Sequence, residues 1–306
     1  MNIKHAFPVR PQERMDTSSA ISPTSHFFTS LRTRLHYLDW GNRSAPTLLL
    51  VHGGFDHARS WDWTARALAA DYHVIAPDLR GHGDSAWSAE GSYVMANMVY
   101  DLAQLVDQLG REPVTIVGHS LGGSLVLRYA GLFPEKVARL VAIEGLGFSP
   151  KRLREKADVP TPDEWREWIE KRRMGARRLP RRYPTLEAAV ARMRERNDHL
   201  SAEQALHLTA HGVNRNEDGS YSWKFDPYLH DMPPQGGPES DLPQFWSRIT
   251  CPVLLCLGLD SWASNPIKDG RAAHFQDARL VEFADAGHWL HHDQFDRFLA
   301  ELRAFL

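Results

Sequence analysis

Short apolar segments alternate with amphipathic segments along most of the chain. Seven apolar runs have the length of buried strands, at residues 34–40, 47–51, 73–76, 114–117, 140–143, 253–257 and 280–283. Apolar residues recur at helical spacing in segments between or after these runs, at residues 61–70, 93–109, 124–132 and 295–306. Because several of the strand runs are apolar throughout, helices must cover both faces of the sheet. The pattern therefore predicts an α/β fold with a doubly wound, mostly parallel sheet.

The pattern changes at two places along the chain. Residues 1–24 are polar and rich in proline, which is typical of a poorly ordered arm. Between residues 149 and 246 charged side chains, tryptophan and proline crowd together without any buried-strand run, and 162–174 and 185–196 have helical patterns. Residues 231–242 have the composition of a loop. We therefore predict a core of residues 25–148 and 247–306, with a helical cap inserted at 149–246.

Composition narrows the range of partners. The 306 residues are 42% apolar and 24% charged, as in globular proteins with a substantial core. A net charge of −2 provides no overall attraction to nucleic acid or to an anionic membrane, so we expect a small-molecule substrate. The N-terminus lacks the apolar stretch of a signal peptide and no segment is long enough to cross a bilayer, so we expect a cytoplasmic protein. Cys251 and Cys256 are expected to be buried free thiols.

One segment carries a candidate nucleophile. Residues 114–123, VTIVGHSLGG, place a buried strand, a G-x-S-x-G turn centred on Ser120 and a helix in immediate succession. Such a sharp turn forces a strained backbone, and Gly118 and Gly122 allow neighbouring elements to approach closely. The backbone N–H of Leu121, at the helix start, is a suitable donor to an oxyanion. The alternative is that Ser120 only caps the helix.

With this motif in its strand–turn–helix context, the chain resembles the α/β-hydrolase family from about residue 27 to residue 306. Residues 51–55, VHGGF, are similar to the H-G-x loop of that family, and the resemblance implies that the Gly54 N–H is the second oxyanion donor. The alternative is an ordinary glycine turn after a strand. Residues 76–85, APDLRGHGDS, resemble a further loop of the family. We interpret this loop as structural and assign no catalytic role to His82.

A serine hydroxyl becomes a nucleophile only when a neighbouring base accepts its proton. The chain contains sixteen histidines. Residues 280–289, LVEFADAGHW, place His288 after the last predicted strand and resemble the G-H motif of the family, which implies that His288 is the base. We expect His291 and His292 to be surface or capping residues, and His119 to point away from the nucleophile.

The acid that orients the base has two candidates. The resemblance places it most often three residues past a glycine like Gly258, but that position holds Ser261, and Asp260 lies one residue earlier. Some relatives carry the acid after the preceding strand, where this chain has Glu144. Both loops end near the serine, because the carboxyl ends of parallel strands meet in one crevice. We favour Asp260 slightly and retain Glu144 as the alternative.

The resemblance implies hydrolysis of a small carboxylic ester or related acyl substrate through an acyl-enzyme. Family members similar to haloalkane dehalogenases and epoxide hydrolases use an aspartate where this chain has Ser120. Alternatives are a carbon–carbon bond hydrolase of the ring-cleavage-product type, a lactonase, or a non-catalytic ligand-binding protein. The sequence has no H-E-x-x-H, G-x-G-x-x-G or P-loop motif, so we expect neither a metal nor a cofactor.

The predicted cap is rich in aromatic residues and methionine. Some of these side chains should line an apolar pocket, whereas others pack the cap helices on the core. The residues concerned are Trp165, Trp168, Met174, Tyr183, Met193, Tyr221, Trp223, Phe225 and Tyr228. Basic runs at 171–173 and 177–178 would favour an anionic substrate, although such runs are usually solvated surface.

Overall fold

The computed structural model describes residues 21–175, 180–231 and 241–306. Residues 1–20 of the predicted arm and residues 232–240 of the predicted loop lie outside the described residues. The first strand begins at Thr24, so the sheet starts where the arm was expected to end.

Ten strands occur in the described residues. They are β1 (Thr24–Ser30), β2 (Thr33–Asp39), β3 (Thr47–Val51), β4 (His73–Pro77), β5 (Val114–His119), β6 (Val137–Ile143), β7 (Val213–Arg215), β8 (Tyr221–Trp223), β9 (Val253–Gly258) and β10 (Ala278–Phe283). Eight of them form one sheet in the order β1-β2-β4-β3-β5-β6-β9-β10. The pairs β1/β2 and β2/β4 are antiparallel, and the remaining pairs of this sheet are parallel. The predicted mostly parallel sheet is confirmed.

Helices pack on both faces of this sheet. The α-helices of the described residues are α1 (Asp62–Leu68), α2 (Met95–Leu109), α3 (Leu121–Leu132), α4 (Pro150–Ala157), α5 (Thr161–Gly175), α6 (Leu186–Arg196), α7 (Ala202–Gly212), α8 (Leu242–Trp246), α9 (Leu290–Asp293) and α10 (Phe295–Phe305). Successive strand residues point to opposite faces. In β5, Ile116 therefore joins the cluster under α2 and α3, whereas Val117 joins the cluster under α1 and α10. This two-sided packing confirms the doubly wound arrangement.

The chain between β6 and β9, residues 144–252, is called the inserted segment below. It contains α4 to α8 and a two-stranded antiparallel sheet of β7 and β8, which is extended by a bridge between Tyr183 and Tyr221. The sequence pattern predicts only helices here. Each of these strands has only three residues, and Val213 is the one buried side chain in them, so they produce no apolar run and were not predicted.

The inserted segment is joined to the core through α7. Ser201 and Gln204 form a capping box at its start, so the helix begins at a defined residue. Leu208 packs in a small apolar cluster with Trp63 of α1 and Trp289, and its carbonyl oxygen lies 2.8 Å from Nε2 of the buried His57.

The Cys251 and Cys256 thiols are buried and free, as predicted. Among the described helices, none has the length and apolar character required to cross a membrane.

Candidate active site

Ser120 lies at the turn between β5 and α3, at the carboxyl edge of the sheet. Its φ of 51° and ψ of −113° form a strained backbone for a residue with a side chain. Its N–H donates to the Ile143 carbonyl oxygen at 2.8 Å, which ties the turn to the end of β6. Ser120 is the N-cap residue of α3, but its hydroxyl makes no capping hydrogen bond. The capping alternative therefore does not explain this serine.

Two glycines make this turn sterically possible. A Cβ on Gly118 would lie 2.7 Å from the Gly122 carbonyl oxygen. A Cβ on Gly122 would lie 2.4 Å from the carbonyl oxygens of Val51 and His52. Contacts this short are excluded for real side chains, so only glycine lets β5, α3 and the loop after β3 approach to the observed distance. The positions agree with the interpretation of the G-x-S-x-G motif.

Glu144 is the carboxylate that contacts His288. Its Oε2 lies 2.5 Å from Nδ1 of His288, and its side chain is completely buried. The Gly258 N–H donates to Oε1 at 2.9 Å, and the Ser261 hydroxyl donates to Oε2 at 2.6 Å. Glu144 itself has a φ of 50°, which turns the chain sharply after β6. Three donors thus fix the orientation of one buried carboxylate.

The geometry places Glu144, the alternative candidate, and not the favoured Asp260 beside His288. After β9 the backbone N–H groups of Leu259 and Asp260 donate to the carbonyl oxygens of Phe283 and Ala286, at 2.8 and 2.9 Å. These bonds hold residues 259 and 260 at the surface, and the Asp260 side chain is exposed. The next residue, Ser261, is the one that faces Glu144. Among the described residues, His288 Nδ1 is therefore bound by the acid after β6 and not by the acid after β9.

The His288 imidazole lies between aromatic neighbours. The Trp262 ring centre is 5.0 Å from the imidazole on one side, and the His119 ring centre is 4.8 Å away. His119 donates from Nε2 to the His288 carbonyl oxygen at 2.9 Å, so it supports the loop that carries His288. Burial, and then the nearby His288, lower the pKa of His119 well below its usual value. His119 is therefore neutral.

His291 and His292 are buried, which contradicts the expectation that they are surface or capping residues. The short helix α9 turns them inward, where the His291 ring stacks on Trp61 at 4.7 Å and lies 4.6 Å from the His119 ring. Burial, followed by repulsion from neighbouring histidines, lowers the pKa of His291 well below its usual value and that of His292 to about 3. The adjacent histidines lie in a polar segment of the sequence, and this pattern did not predict that they are buried.

The proposed oxyanion donors flank the serine. Leu121 is the first residue of α3, where an N–H has no acceptor within the helix. Gly54 faces it from the loop after β3, since a Cβ on Gly54 would lie 3.9 Å from the Leu121 side chain. The neighbouring His52 stabilises this loop, because its Nε2 accepts from the Leu79 N–H at 3.0 Å and its Nδ1 donates to the Gly53 carbonyl oxygen at 2.7 Å. Burial lowers the pKa of His52 to about 3, so it stays neutral.

Ser120, His288, Gly54 and Leu121 all line one cavity of about 1270 Å³. The hydrogen bonds among the described residues do not include one between Ser120 Oγ and His288 Nε2. Such a bond is often long or poorly aligned without substrate and shortens in the reactive complex. The structure therefore brings the predicted nucleophile, the predicted base and both predicted oxyanion donors to one cavity, with the Glu144 carboxylate buried behind His288.

Residues of the inserted segment form much of the remaining cavity wall. Five of the aromatic and methionine residues noted in the sequence line it, namely Tyr183, Met193, Trp223, Phe225 and Tyr228. The sequence gave no reason to single out the other wall residues, which include Phe55, His82, Trp87, Trp289, Arg181, Arg192 and Arg196. The wall thus combines aromatic side chains with charged side chains of the inserted segment, both arginine and aspartate.

Two other groups of side chains bring metal-ligand atoms together among the described residues. One consists of Asp62, His207 and His211, and the other of His36, Asp78 and Asp84. Neither includes Ser120 or His288. In the second group Asp78 is fully engaged, since it accepts from His36 Nδ1 and the Ala58 N–H at 2.7 Å each. This agrees with the structural interpretation of the loop at residues 76–85.

Comparison with known proteins identifies a fold family for this chain. A family model described as alpha/beta hydrolase fold matches residues 46–295. An esterase of Escherichia coli is 28% identical over 269 residues, which cover 85% of this chain and 92% of the esterase. An epoxide hydrolase of Mus musculus is 25% identical over 294 residues, which cover 89% of this chain and 76% of that protein.

Other similarities are shorter or confined to the fold. Uncharacterized proteins of Mycobacterium are 40% identical over 104 residues, and the chain spans only 30% of their length. A thioesterase domain from the curacin biosynthetic pathway superimposes with a TM-score of 0.81 at 23% identity, covering 92% of this chain and 99% of that domain. An identity this low supports the fold alone.

Proposed function

Because the chain belongs to the α/β-hydrolase fold family, a family of hydrolases, we propose that it is a serine hydrolase that cleaves a carboxylic ester or related acyl substrate through an acyl-enzyme. The observation that carries this proposal is the contact between the buried Glu144 carboxylate and Nδ1 of His288, in a cavity that also holds Ser120. A carboxylate on Nδ1 directs the lone pair of Nε2 toward the nucleophile.

The geometry supports a two-step reaction. Ser120 Oγ attacks the substrate carbonyl carbon while His288 Nε2 accepts the hydroxyl proton, and Glu144 stabilises the imidazolium that forms. The N–H groups of Gly54 and Leu121 stabilise the oxyanion. The bond to the leaving group then breaks, and His288 returns the proton to that group. Water attacks the acyl-enzyme with His288 as base, which releases the acid and restores Ser120.

We interpret the inserted segment as a cap that determines which acyl groups enter. Its aromatic residues Tyr183, Trp223 and Phe225 form an apolar wall, and Phe55 packs on Phe225 with ring centres 5.2 Å apart. A cavity of about 1270 Å³ exceeds the volume that an acetyl ester requires. We therefore expect butyrate and longer esters to be cleaved with a higher kcat/KM than acetate.

The test is hydrolysis of p-nitrophenyl acetate, butyrate and octanoate by the wild type and by Ser120→Ala. We expect kcat to fall by roughly 10³-fold or more in the variant, since no other group can form the acyl-enzyme. Ser124→Ala is the matched control, because Ser124 lies one turn further along α3 and its hydroxyl accepts a hydrogen bond from Arg128 instead of lining the cavity. Circular dichroism reports whether each variant folds.

A serine-directed fluorophosphonate tests the nucleophile independently of substrate choice. Mass spectrometry of the labelled, folded wild type should locate the modification on Ser120, with no labelling of Ser120→Ala. A folded wild type that hydrolyses none of the esters but is labelled at Ser120 would favour a carbon–carbon bond hydrolase. Absence of labelling at Ser120 would refute the proposal and favour a ligand-binding protein.

A further inference from the structure

Helix α7 of the inserted segment presents two histidines to the core. His207 and His211 are four residues apart, so they lie on one face of the helix, and their ring centres are 4.6 Å apart. This face meets Asp62, the first residue of α1. The three residues come from two separate parts of the fold, the inserted segment and the core, and none of them lines the cavity with Ser120.

Their ligand atoms are close enough to share one ion. One nitrogen of each imidazole and one Asp62 oxygen all lie within 4.8 Å of one another, and His207 Nε2 is 3.2 Å from Asp62 Oδ2. A tetrahedral zinc ion with ligand bonds of about 2.0–2.2 Å holds its ligands about 3.3–3.6 Å apart. Two imidazoles and a carboxylate are a donor set that zinc prefers. The spacing therefore requires small side-chain adjustments, and His207 Nε2 must lose the proton that it donates to the Arg59 carbonyl oxygen at 3.2 Å.

Asp62 provides an independent observation that points to a ligand. Its side chain is only 1% exposed. Oδ2 accepts from Arg59 Nε at 2.8 Å and lies beside His207, but Oδ1 is buried and makes no hydrogen bond among the described residues. A buried carboxylate oxygen without a partner is energetically costly. Oδ2 is the oxygen that faces His207, so a cation would compensate that cost if it contacted both oxygens of the Asp62 carboxylate.

We propose that Asp62, His207 and His211 bind a divalent transition-metal ion of the zinc type, which fastens α7 of the inserted segment to α1 of the core. Three protein ligands leave a fourth position for water. The Arg59 guanidinium is the competing cation, because it bonds the same carboxylate. Its side chain is 31% exposed, so it can move into solvent when the metal binds.

Isothermal titration of ZnCl₂ into the EDTA-treated, full-length protein tests this site. We expect one high-affinity ion per chain, and a rise in Tm when the ion is present, since a ligand that binds only the folded state stabilises it. In His211→Ala the affinity should fall at least tenfold and the Tm rise should disappear. His274→Ala is the matched control, because His274 is an exposed histidine on the turn before β10.

Cobalt supplies a readout of the ligands themselves. Co²⁺ bound to Asp62, His207 and His211 should show visible absorption of a tetrahedral nitrogen–oxygen site, and this absorption should be lost in His211→Ala. Arg59→Gln removes the competing cation and should tighten zinc binding by at least threefold, which keeps the proposal testable if His211→Ala does not fold. Equal zinc affinity in the wild type, His211→Ala and Arg59→Gln, or no binding at all, would overturn the proposal.

Discussion

The Ser261 hydroxyl lies 2.6 Å from Glu144 Oε2, the same oxygen that contacts His288 Nδ1 at 2.5 Å. Ser261 occupies the position where the acid is most often expected from the family resemblance. In this chain the serine at that position donates to a carboxylate that follows β6. The loops after β6 and β9 therefore act together. Glu144 contacts His288, and the Ser261 hydroxyl holds the Glu144 carboxylate in place.

The two acids should differ sharply in their effect on catalysis. Glu144→Gln removes the charge that stabilises the imidazolium and permits the wrong imidazole tautomer, so we expect kcat/KM for p-nitrophenyl butyrate to fall by about 10³–10⁴-fold. Asp260→Asn alters an exposed side chain and should change kcat/KM by less than about threefold. Steady-state kinetics on folded variants distinguish the two, and a larger loss in Asp260→Asn would refute the assignment of Glu144.

Ser261 is a positioning residue, and its contribution should be smaller. A hydrogen bond to a charged group contributes about 1.5–3 kcal/mol, so Ser261→Ala should lower kcat by about tenfold or more with little change in KM. Ser261→Thr keeps the hydroxyl and should restore most of the activity. An unchanged kcat in Ser261→Ala would contradict the positioning role.

The sequence predicted most of the core and only part of the site. The strands that are buried on both faces, such as β3 and β9, are apolar throughout and are recognisable from periodicity alone. Ser120 and His288 follow from motifs that fix their position relative to a strand. The choice between Asp260 and Glu144 depends instead on which way a loop turns, and two backbone hydrogen bonds after β9 decide that direction. No side-chain pattern records those bonds.

The burial of the histidines could not be predicted from the sequence either. His291 and His292 are neighbours, so a helical pattern cannot place both on one buried face without knowledge of what packs there. The His291 ring stacks on Trp61, the His292 ring meets Trp63 with ring centres 5.6 Å apart, and both side chains are buried. In α7, the H-x-x-x-H spacing of His207 and His211 was visible in the sequence, but Asp62 lies far away along the chain.

Close packing at the nucleophile turn should make Gly122 intolerant of substitution. Gly122→Ala places a methyl group 2.4 Å from two carbonyl oxygens, and we expect the free energy of unfolding to fall by about 3 kcal/mol. Gly54→Ala is the matched control for stability, because its methyl group meets nothing closer than 3.9 Å. Urea denaturation measures both variants. Equal stability of Gly122→Ala and the wild type would show that the loop after β3 and α3 can separate at low cost.

The buried histidines should make the fold sensitive to acid. Burial lowers the pKa of five of them below the usual value near 6.5, namely His52, His82, His119, His291 and His292. Because the unfolded chain takes up protons that the fold excludes, the contribution of these histidines to stability is fully present above pH 6.5 and is lost progressively as the pH falls toward about 3. Between pH 6.5 and pH 5 each of these histidines should lower the free energy of unfolding by about 1–2 kcal/mol.

Urea denaturation at pH 5, 6, 7 and 8 measures this loss. His291→Phe is the informative variant, because neither ring nitrogen of His291 has a hydrogen-bond partner among the described residues and its ring stacks on Trp61. The variant should fold at pH 8 and should lose stability less steeply below pH 6.5, by up to one proton per chain. A stability that is constant from pH 5 to pH 7 would show that these histidines titrate in the folded state.

The hydrogen bond from the Ser120 N–H to the Ile143 carbonyl oxygen joins the turn after β5 to the last residue of β6. Glu144 is the next residue, and a Cβ on Gly123 would lie only 2.7 Å from Gly145 Cα, so the two backbones are in contact here. The distance between Ser120 and Glu144 is therefore fixed by the pairing of β5 and β6. The imidazole of His288 is instead carried by the loop after β10. Adaptation to a new leaving group can adjust that loop and leave the other two groups in place.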